Sequence, residues 1–237
     1  MCGIVGVLGT HQAAPILVEG LKKLEYRGYD SAGIATVSNG DLDRRRAMGK
    51  LVNLNDLLMH EPLTGTSGIG HTRWATHGAA NTTNAHPHRR GKVAIVHNGI
   101  IENFRQIREH LAEHQINPET DTDTETVAML CNWHIDQGKS HTEAAIETVN
   151  ALEGAYALCF LFDGEQDLIV AARKGSPLAI GWGDNEMFVG SDALALSGMT
   201  NEITYLDEGD IAIVSRSGAQ FLNENREPVE RPKKTVS

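Results

Sequence analysis

The residue that most constrains this chain is Cys2, which directly follows the initiator methionine and precedes a glycine. If Met1 is removed, Cys2 carries a thiol and a free α-amine on the same Cα. An α-amine titrates near ~8 and a thiol near ~8.5, so the amine can accept the thiol proton close to neutral pH. N-terminal threonine enzymes use their amine in the same way. The position favours a nucleophile, and the alternative is an ordinary buried cysteine that opens a strand.

The residues after Cys2 predict where that thiol lies in the fold. Ile4–Leu8 is a short apolar run between glycines, which indicates a buried strand. Helical patterns cluster in the middle of the chain, and short apolar runs typical of strands lie on both sides of them. This order indicates an α+β fold in layers, because alternating βαβ units would interleave strands and helices throughout. The candidate nucleophile would then begin a central strand.

A long polar stretch separates two further predicted strands. Residues 74–92 contain almost no aliphatic side chains and are predicted to form a functional loop. The strand before this loop is predicted over Ile69–Arg73, and the strand after it over Val93–Val96. Asn98-Gly99 follows the second strand, and the pattern assigns Ile100–Asn103 to the start of a helix.

The composition argues against several other kinds of function. The net charge is −10 at pH 7, so no basic surface is available to neutralise phosphates, and we expect no nucleic-acid partner. No apolar run approaches the ~18 residues that suggest a membrane span, and no secretory signal is visible, so we expect no membrane partner. The three cysteines are odd in number and lack CxxC spacing, which indicates a reducing cytoplasm.

Eleven histidines make a metal site the first alternative to test. His86-Pro87-His88 is the tightest pair, but a zinc site needs a third and usually a fourth ligand at recognisable spacing. HExxH is absent, and the glycines of the first predicted strand are not followed by the lysine of a phosphate loop. We therefore expect no metal and no cofactor, and we interpret His86 and His97 as structural.

A thiol that cleaves an amide also needs groups that stabilise the oxyanion and hold the substrate. Asn98-Gly99 can supply a side-chain amide and a backbone N–H, although the same dipeptide is typical of hairpin turns. Arg73 can bind a carboxylate bidentately, or it can form a surface ion pair. Asp123 can bind an ammonium or simply cap a helix, and Asp121 competes for either role.

Six short motifs, in this order along the chain, resemble those of the class II glutamine amidotransferases. They are Met1–Gly6 (MCGIVG), Tyr26–Gly33 (YRGYDSAG), His71–Gly78 (HTRWATHG), Asn84–His88 (NAHPH), His97–Asn103 (HNGIIEN) and Thr122–Glu125 (TDTE). The second and third motifs are the most specific, and their sequences resemble those in the glutaminase domains of glucosamine-6-phosphate synthases. The likeness spans nearly the whole chain.

The resemblance implies an N-terminal-nucleophile hydrolase fold, a four-layer αββα sandwich of two antiparallel sheets. It implies that Cys2 attacks the side-chain amide of L-glutamine after removal of Met1, with Asn98 and Gly99 as the oxyanion hole. Other roles that it implies are Arg73, Thr76 and His77 for the α-carboxylate, Asp123 for the α-ammonium, Arg27 for placing the N-terminus and Trp74 for gating ammonia transfer.

The resemblance also sets an expected domain organisation. Residues 1–222 would form the glutaminase domain, and the polar residues 223–237, with Pro228 and Pro232, would form a linker or tail. In the intact synthases an isomerase region, normally on the same chain, binds fructose 6-phosphate, and the intact enzyme can form a homodimer. Alone, this chain would hydrolyse glutamine to glutamate and ammonia.

Three other functions compete with this interpretation. The chain can be the glutaminase half of another class II amidotransferase, or an N-terminal-thiol amidase acting on other amides. It can also be a ligand-sensing domain with a decayed site, which would retain the fold without the chemistry. Every motif position is filled, which argues against decay, and the combination of Arg73 with Asp123 favours a free amino acid as the substrate.

Overall fold

The structure is a computed structural model that describes residues 2–76 and 78–237, so Met1 and His77 lie outside the described residues. The strands are β1 (Gly3–Leu8), β2 (Ser31–Ser38), β3 (Asp41–Met48), β4 (Ser67–Arg73), β5 (His88–Arg90), β6 (Val93–Ile101), β7 (Gly154–Phe162), β8 (Ile169–Lys174), β9 (Ala179–Trp182), β10 (Met187–Gly190), β11 (Glu202–Tyr205), β12 (Ile211–Ser215), β13 (Gly218–Leu222), β14 (Pro228–Val229) and β15 (Lys234–Thr235). The helices are α1 (Ala13–Lys22), α2 (Leu51–His60), α3 (Phe104–Ala112), α4 (Asp123–Asp136) and α5 (His141–Ala151), with short 3-10 turns at Glu25–Arg27 and Ala193–Leu196.

Within the described residues these strands form two antiparallel sheets. The first sheet has eight strands in the order β15-β11-β9-β10-β1-β4-β2-β3, and the second has seven in the order β14-β13-β12-β8-β7-β6-β5. β1 lies in the middle of the first sheet, between β10 and β4. The prediction that the Cys2 region leads into a central strand is therefore confirmed.

The alternation of side chains along β1 shows how the layers stack. Ile4 and Leu8 belong to the apolar core between the two sheets, whereas Val5 and Val7 pack with α1 on the outer face of the first sheet. A third core joins the outer face of the second sheet to α3, α4 and α5. The order of layers is helix, sheet, sheet, helix, which confirms the predicted αββα sandwich.

The prediction around Asn98 was wrong about the local structure. β6 continues through Asn98 and Gly99 to Ile101 and pairs along its length with β7, where Ile101 lies opposite Gly154. The helix begins only at Phe104. The local sequence pattern predicted a helix too early, because the length of β6 is set by its partner β7, which is distant in the sequence.

The predicted long loop contains a short strand. His88–Arg90 forms β5, which pairs as a hairpin with the start of β6. Trp74, Thr76 and His86 of the loop line the cavity described below, and two arginines of β3 bind the loop backbone. Arg44 donates to the Pro87 carbonyl, and Arg46 donates to the carbonyls of Thr83 and Ala85.

The segment predicted as a linker, residues 223–237, is not a free tail in this structure. β14 pairs with β13 at the edge of the second sheet, and β15 pairs with β11 at the edge of the first. Arg231 between them forms a bidentate ion pair with the buried Asp210 at 2.8 and 2.9 Å. These contacts attach the segment to the domain that was expected to end at residue 222.

Candidate active site

The predicted site residues lie around one cavity of about 390 Å³. Its lining includes Cys2, Arg27, Arg73, Trp74, Thr76, Asn98, Gly99 and Asp123. Cys2 precedes β1 and Arg73 ends β4, both in the first sheet, while Asn98 belongs to β6 in the second. The cavity therefore opens at the ends of β1 and β4 in the first sheet, next to β6 of the second. The remaining predicted residue, His77, lies outside the described residues.

Cys2 is half-buried, and its backbone and thiol are both held. Its Sγ accepts a hydrogen bond from the Trp74 N–H at 3.3 Å and lies 3.8 Å from the Trp74 carbonyl oxygen. Its own carbonyl oxygen accepts from Arg27 Nη1 at 3.2 Å and from Asn98 Nδ2 at 3.3 Å. Groups from three separate segments thus fix the position of the thiol.

The ionisation of Cys2 has a direct chemical consequence. Burial raises the pKa of the Cys2 thiol, and the hydrogen bond from the Trp74 N–H opposes that increase. Since the thiolate is the nucleophilic form, a thiol with a raised pKa needs a base that takes its proton during attack. The other two cysteines are fully buried in the core, and burial raises the pKa of Cys131 to about 12 and that of Cys159 further.

Arg27 is fixed by an acidic residue that the sequence did not reveal. Its Nη2 forms a 2.6 Å ion pair with Asp192 Oδ2, while its Nη1 donates to the Cys2 carbonyl. Asp192 is itself held, because its Oδ1 accepts from the Leu194 N–H at 2.9 Å. Asp192 lies far along the chain in a stretch with no motif, so no sequence signal pointed to it.

The alternatives for Arg73 and Asp123 are resolved by burial. Arg73 is 3% exposed, and its guanidinium donates to the carbonyls of Ala79 at 2.9 Å and Gly78 at 3.3 Å. Asp123 is 4% exposed, and its Oδ2 accepts from the Ile101 N–H at 2.8 Å. The N-cap of α4 is Thr122, whose Oγ1 accepts from the Glu125 N–H. A surface ion pair for Arg73 and a plain cap for Asp123 are therefore both wrong.

Asn98-Gly99 lies inside a strand, so the hairpin-turn alternative is also wrong. Gly99 has a φ of +116°, and a Cβ at this position would lie 2.3 Å from the Ala155 carbonyl oxygen of β7. Only glycine fits both the backbone conformation and this close approach. Asn98 presents Nδ2 to Cys2 and Oδ1 to His71, whose Nε2 lies 3.1 Å away.

Behind Asn98 lies a group of histidines that we call the histidine cluster: His71, His86, His88 and His97. All are buried, and burial lowers the pKa of each, that of His71 to about 3. Their rings are therefore neutral at physiological pH. Among the residues that the structure describes, no group of three or more potential ligands could hold a metal ion. Sequence reasoning passed over His71, although it shares a face of β4 with Arg73.

The fold and the cavity define a class II glutamine amidotransferase domain. Residues 71–198, more than half of the chain, match the family described as glutamine amidotransferase domain, and the chain belongs to that family.

No helix in the described part of the chain is long and apolar enough to cross a membrane.

Individual relatives show which members of the family this chain is similar to. The chain is 56% identical over 232 residues to a glutamine–fructose-6-phosphate aminotransferase [isomerizing] of Brucella suis, and 56% identical over 231 residues to that of Mesorhizobium japonicum. Each match covers 98% of this chain but only 38% of the relative's length. The solved structure of a glutamine phosphoribosylpyrophosphate amidotransferase from B. subtilis superimposes with a TM-score of 0.80, at 25% identity, over 96% of this chain and 50% of that one. The predicted family is confirmed.

Proposed function

We propose that this domain hydrolyses the side-chain amide of L-glutamine through a Cys2 thioester. It would supply the ammonia for glucosamine 6-phosphate synthesis from fructose 6-phosphate. The observation that carries the proposal is the convergence on one cavity of a thiol, a side-chain amide, a guanidinium and a carboxylate. The names of two relatives that are 56% identical to this chain support glucosamine 6-phosphate synthesis as the reaction that uses the ammonia.

The charges around the cavity match the two ends of a free amino acid. Arg73 would bind the α-carboxylate, because a guanidinium and a carboxylate form paired hydrogen bonds. Thr76 lines the same cavity, and we assign it and His77 to the same end of the substrate. Asp123 would bind the α-ammonium with Oδ1, since Oδ2 already accepts from the Ile101 N–H. The side-chain amide of glutamine would then extend towards Cys2.

The first half of the reaction forms the thioester. After removal of Met1, the α-amine of Cys2 accepts the thiol proton while Sγ bonds to the amide carbon. The electron pair of the C=O bond moves to oxygen, which receives hydrogen bonds from Asn98 Nδ2 and the Gly99 N–H. The C–N bond then breaks, the α-amine returns its proton to the leaving nitrogen, and ammonia departs. The raised pKa of the thiol explains why this transfer needs a base so close to Sγ.

The second half releases glutamate. Water adds to the thioester carbon as its proton passes to the α-amine, and the same two donors stabilise the new oxyanion. The C–S bond breaks, and the thiol regains a proton. Arg27 and Asp192 keep Cys2 in place through both halves by holding its carbonyl oxygen. Trp74, half-exposed at the cavity, is assigned to gating the departure of ammonia.

The names of the relatives also support a wider setting for this domain. We assign residues 1–222 to the glutaminase domain and residues 223–237, although they pair with the edges of both sheets, to the connection with an isomerase region that binds fructose 6-phosphate. The intact enzyme would be the unit that forms any homodimer. Three unpaired cysteines support a cytoplasmic location.

Replacement of the nucleophile tests the mechanism. Cys2→Ala should abolish release of ammonia from glutamine, whereas the control Cys131→Ala, in the core, should retain it. A diazoketone analogue of glutamine should add one label to the wild type and none to Cys2→Ala, as measured by mass spectrometry. The same spectra report whether Met1 is absent. Ordinary turnover by Cys2→Ala, or by protein that keeps Met1, would contradict the proposal.

Substrate comparison separates the rivals. Ammonia should be released from glutamine faster than from asparagine or simple acyl amides, since only glutamine has both charged ends and the right length. Faster release from acyl amides would favour a different N-terminal-thiol amidase. Glutamine binding without labelling of Cys2 would favour a sensing domain.

A further inference from the structure

The histidine cluster has no part in the chemistry proposed above, yet it contacts the oxyanion hole. His71 Nε2 lies 3.1 Å from Asn98 Oδ1 and 2.9 Å from the His97 carbonyl oxygen. His71 is completely buried on β4, so water cannot replace it as the partner of Asn98. The orientation of the Asn98 amide therefore depends on which ring nitrogens of the histidine cluster carry a hydrogen.

The hydrogens on the histidine rings can be assigned by starting from the Cys2 carbonyl oxygen, which can only accept a hydrogen bond. The Cys2 carbonyl oxygen faces the Asn98 amide at 3.3 Å, so the group pointing at it must be the Nδ2 donor. Oδ1 then faces His71. Because Oδ1 and the His97 carbonyl both only accept, the nitrogen between them, His71 Nε2, must carry a hydrogen.

The same logic continues to helix α4. In a neutral His71 the other nitrogen, Nδ1, is an acceptor, and His86 Nδ1 lies 3.0 Å from it. His86 Nδ1 is also 3.1 Å from Nε2 of His71, but that nitrogen already donates to Asn98. His86 Nδ1 must therefore carry a hydrogen. Its Nε2 then accepts from Thr124 Oγ1 at 3.0 Å.

Thr124 completes the chain. Its hydroxyl hydrogen is used by His86, so its oxygen accepts from His97 Nδ1 at 2.9 Å. The contact between His97 Nε2 and the Ala155 carbonyl oxygen, at 3.5 Å, is the longest of the set and is the one left without a hydrogen. The 3.1 Å approach of His86 Nδ1 to His71 Nε2 brings two donors together and carries no hydrogen bond. Each remaining contact of the set pairs a donor with an acceptor, and Thr124 stands directly after Asp123.

We propose that His71 is a positioning residue of the oxyanion hole. Its Nε2–H holds Asn98 Oδ1 and so aims Nδ2 at the oxygen of the reacting amide. His86 and Thr124 keep His71 in the tautomer that can do this. The orientation of the oxyanion donor is thereby linked to the first turn of α4, which carries the proposed ammonium ligand Asp123. The inference rests on the proposed glutaminase function for its kinetic consequence, but not for its tautomers.

Two substitutions at His71 form a matched pair. In His71→Gln the amide nitrogen occupies the position of Nε2, so it can still donate to Asn98. In His71→Asn the amide is one bond shorter and can reach only the position of Nδ1. We expect the His71→Gln variant to remain within about 3-fold of the wild-type kcat. The His71→Asn variant should lose about 10-fold or more, bounded by the roughly 10²–10³ of a deleted oxyanion donor. KM for glutamine should stay within about 3-fold, because His71 does not line the cavity.

A double variant distinguishes positioning from general damage. In an Asn98→Ala background, His71→Asn should lower kcat by less than about 3-fold more, because the group that His71 orients is already gone. Equal losses in His71→Gln and His71→Asn, or a full further loss in the Asn98→Ala background, would overturn the proposal.

Nitrogen NMR of the wild type gives a test that does not depend on folding of a variant or on turnover. The ¹⁵N shifts of labelled histidines distinguish the two neutral tautomers, and we expect hydrogen on Nε2 of His71 and on Nδ1 of His86. A His71 ring with hydrogen on Nδ1, or a charged ring at neutral pH, refutes the positioning role. If the wild type releases no ammonia, the proposed function fails, while the expected tautomers would still support the geometry.

Discussion

Asp123→Asn is the sharpest test of how the cavity would hold a substrate. The Asp123 carboxylate is almost completely buried, and one of its oxygens accepts from the Ile101 N–H at 2.8 Å. Asparagine has the same shape, and its oxygen can keep the bond to Ile101. The amide NH₂ group must then occupy the position of the other carboxylate oxygen. A donor would replace the acceptor that we assign to the substrate's ammonium.

The size of the effect follows from these two losses. A hydrogen bond to a charged group contributes about 1.5–3 kcal/mol, and an unsatisfied buried donor costs about 1–3 kcal/mol more. Taking about 3–4 kcal/mol together, kcat/KM for glutamine should fall by roughly 10²–10³, since about 1.4 kcal/mol corresponds to a factor of ten. The α-ammonium is remote from the reacting amide, so most of the loss should appear in KM.

The assay compares two substrates and two aspartates. Glutamine and its deamino analogue glutaramate differ only in the ammonium, so Asp123→Asn should remove the preference for glutamine and leave glutaramate hydrolysis nearly unchanged. Asp121→Asn is the control, because Asp121 is exposed and carries the same charge two residues away. An equal loss in Asp121→Asn, or an equal loss on glutaramate, would show that the carboxylate does not bind an ammonium.

Two further predictions concern stability. The buried Glu125 carboxylate accepts from Arg90 at 2.9 Å and from the Thr120 N–H at 2.8 Å, so Glu125→Gln should destabilise the fold by about 2–4 kcal/mol and lower Tm by roughly 5–15 °C. The control Glu147→Gln, at an exposed 4.0 Å pair, should cost less than about 0.5 kcal/mol, and similar Tm values for the two variants would refute the idea. The histidine cluster should make stability depend on pH, because its folded pKa values lie below the unfolded value near ~6.5. Above that pH the rings are neutral in both states, and below it the unfolded chain binds protons first, so His71, with a folded pKa of about 3, should lower the free energy of unfolding by about 2 kcal/mol by pH 5. The other three histidines should lower it in the same direction, and urea midpoints that do not change between pH 7 and pH 5 would contradict this.

The sequence was informative where a residue's chemistry is visible locally. Cys2 stood out by its position, and Asn98-Gly99, Arg73 and Asp123 by the polar groups that they place beside apolar runs. The layers were also predictable, because strand and helix periodicities differ. Asp192 was not predictable, since its role comes only from a 2.6 Å contact with Arg27, which is distant in the sequence.

The errors in secondary structure have one physical origin. β6 extends to Ile101 because β7 offers a pairing partner along that whole length. β14 and β15 exist because the edges of the two sheets accept them, although the residues themselves read as a polar tail. Strand pairing is a property of two segments, so the pattern of one segment cannot set where a strand ends.

The alternation of strand residues explains why these side chains meet at all. Ile69 of β4 and Val96 of β6 lie in the core between the sheets, and residues two and four positions further along a strand share their face. On β4 this places His71 and Arg73 on the inner face, and on β6 it places Asn98 opposite them. A shift of either strand by one residue would turn these groups outward together with the core residues. The apolar core between the sheets therefore fixes the register on which both the oxyanion donor and its positioning histidine depend.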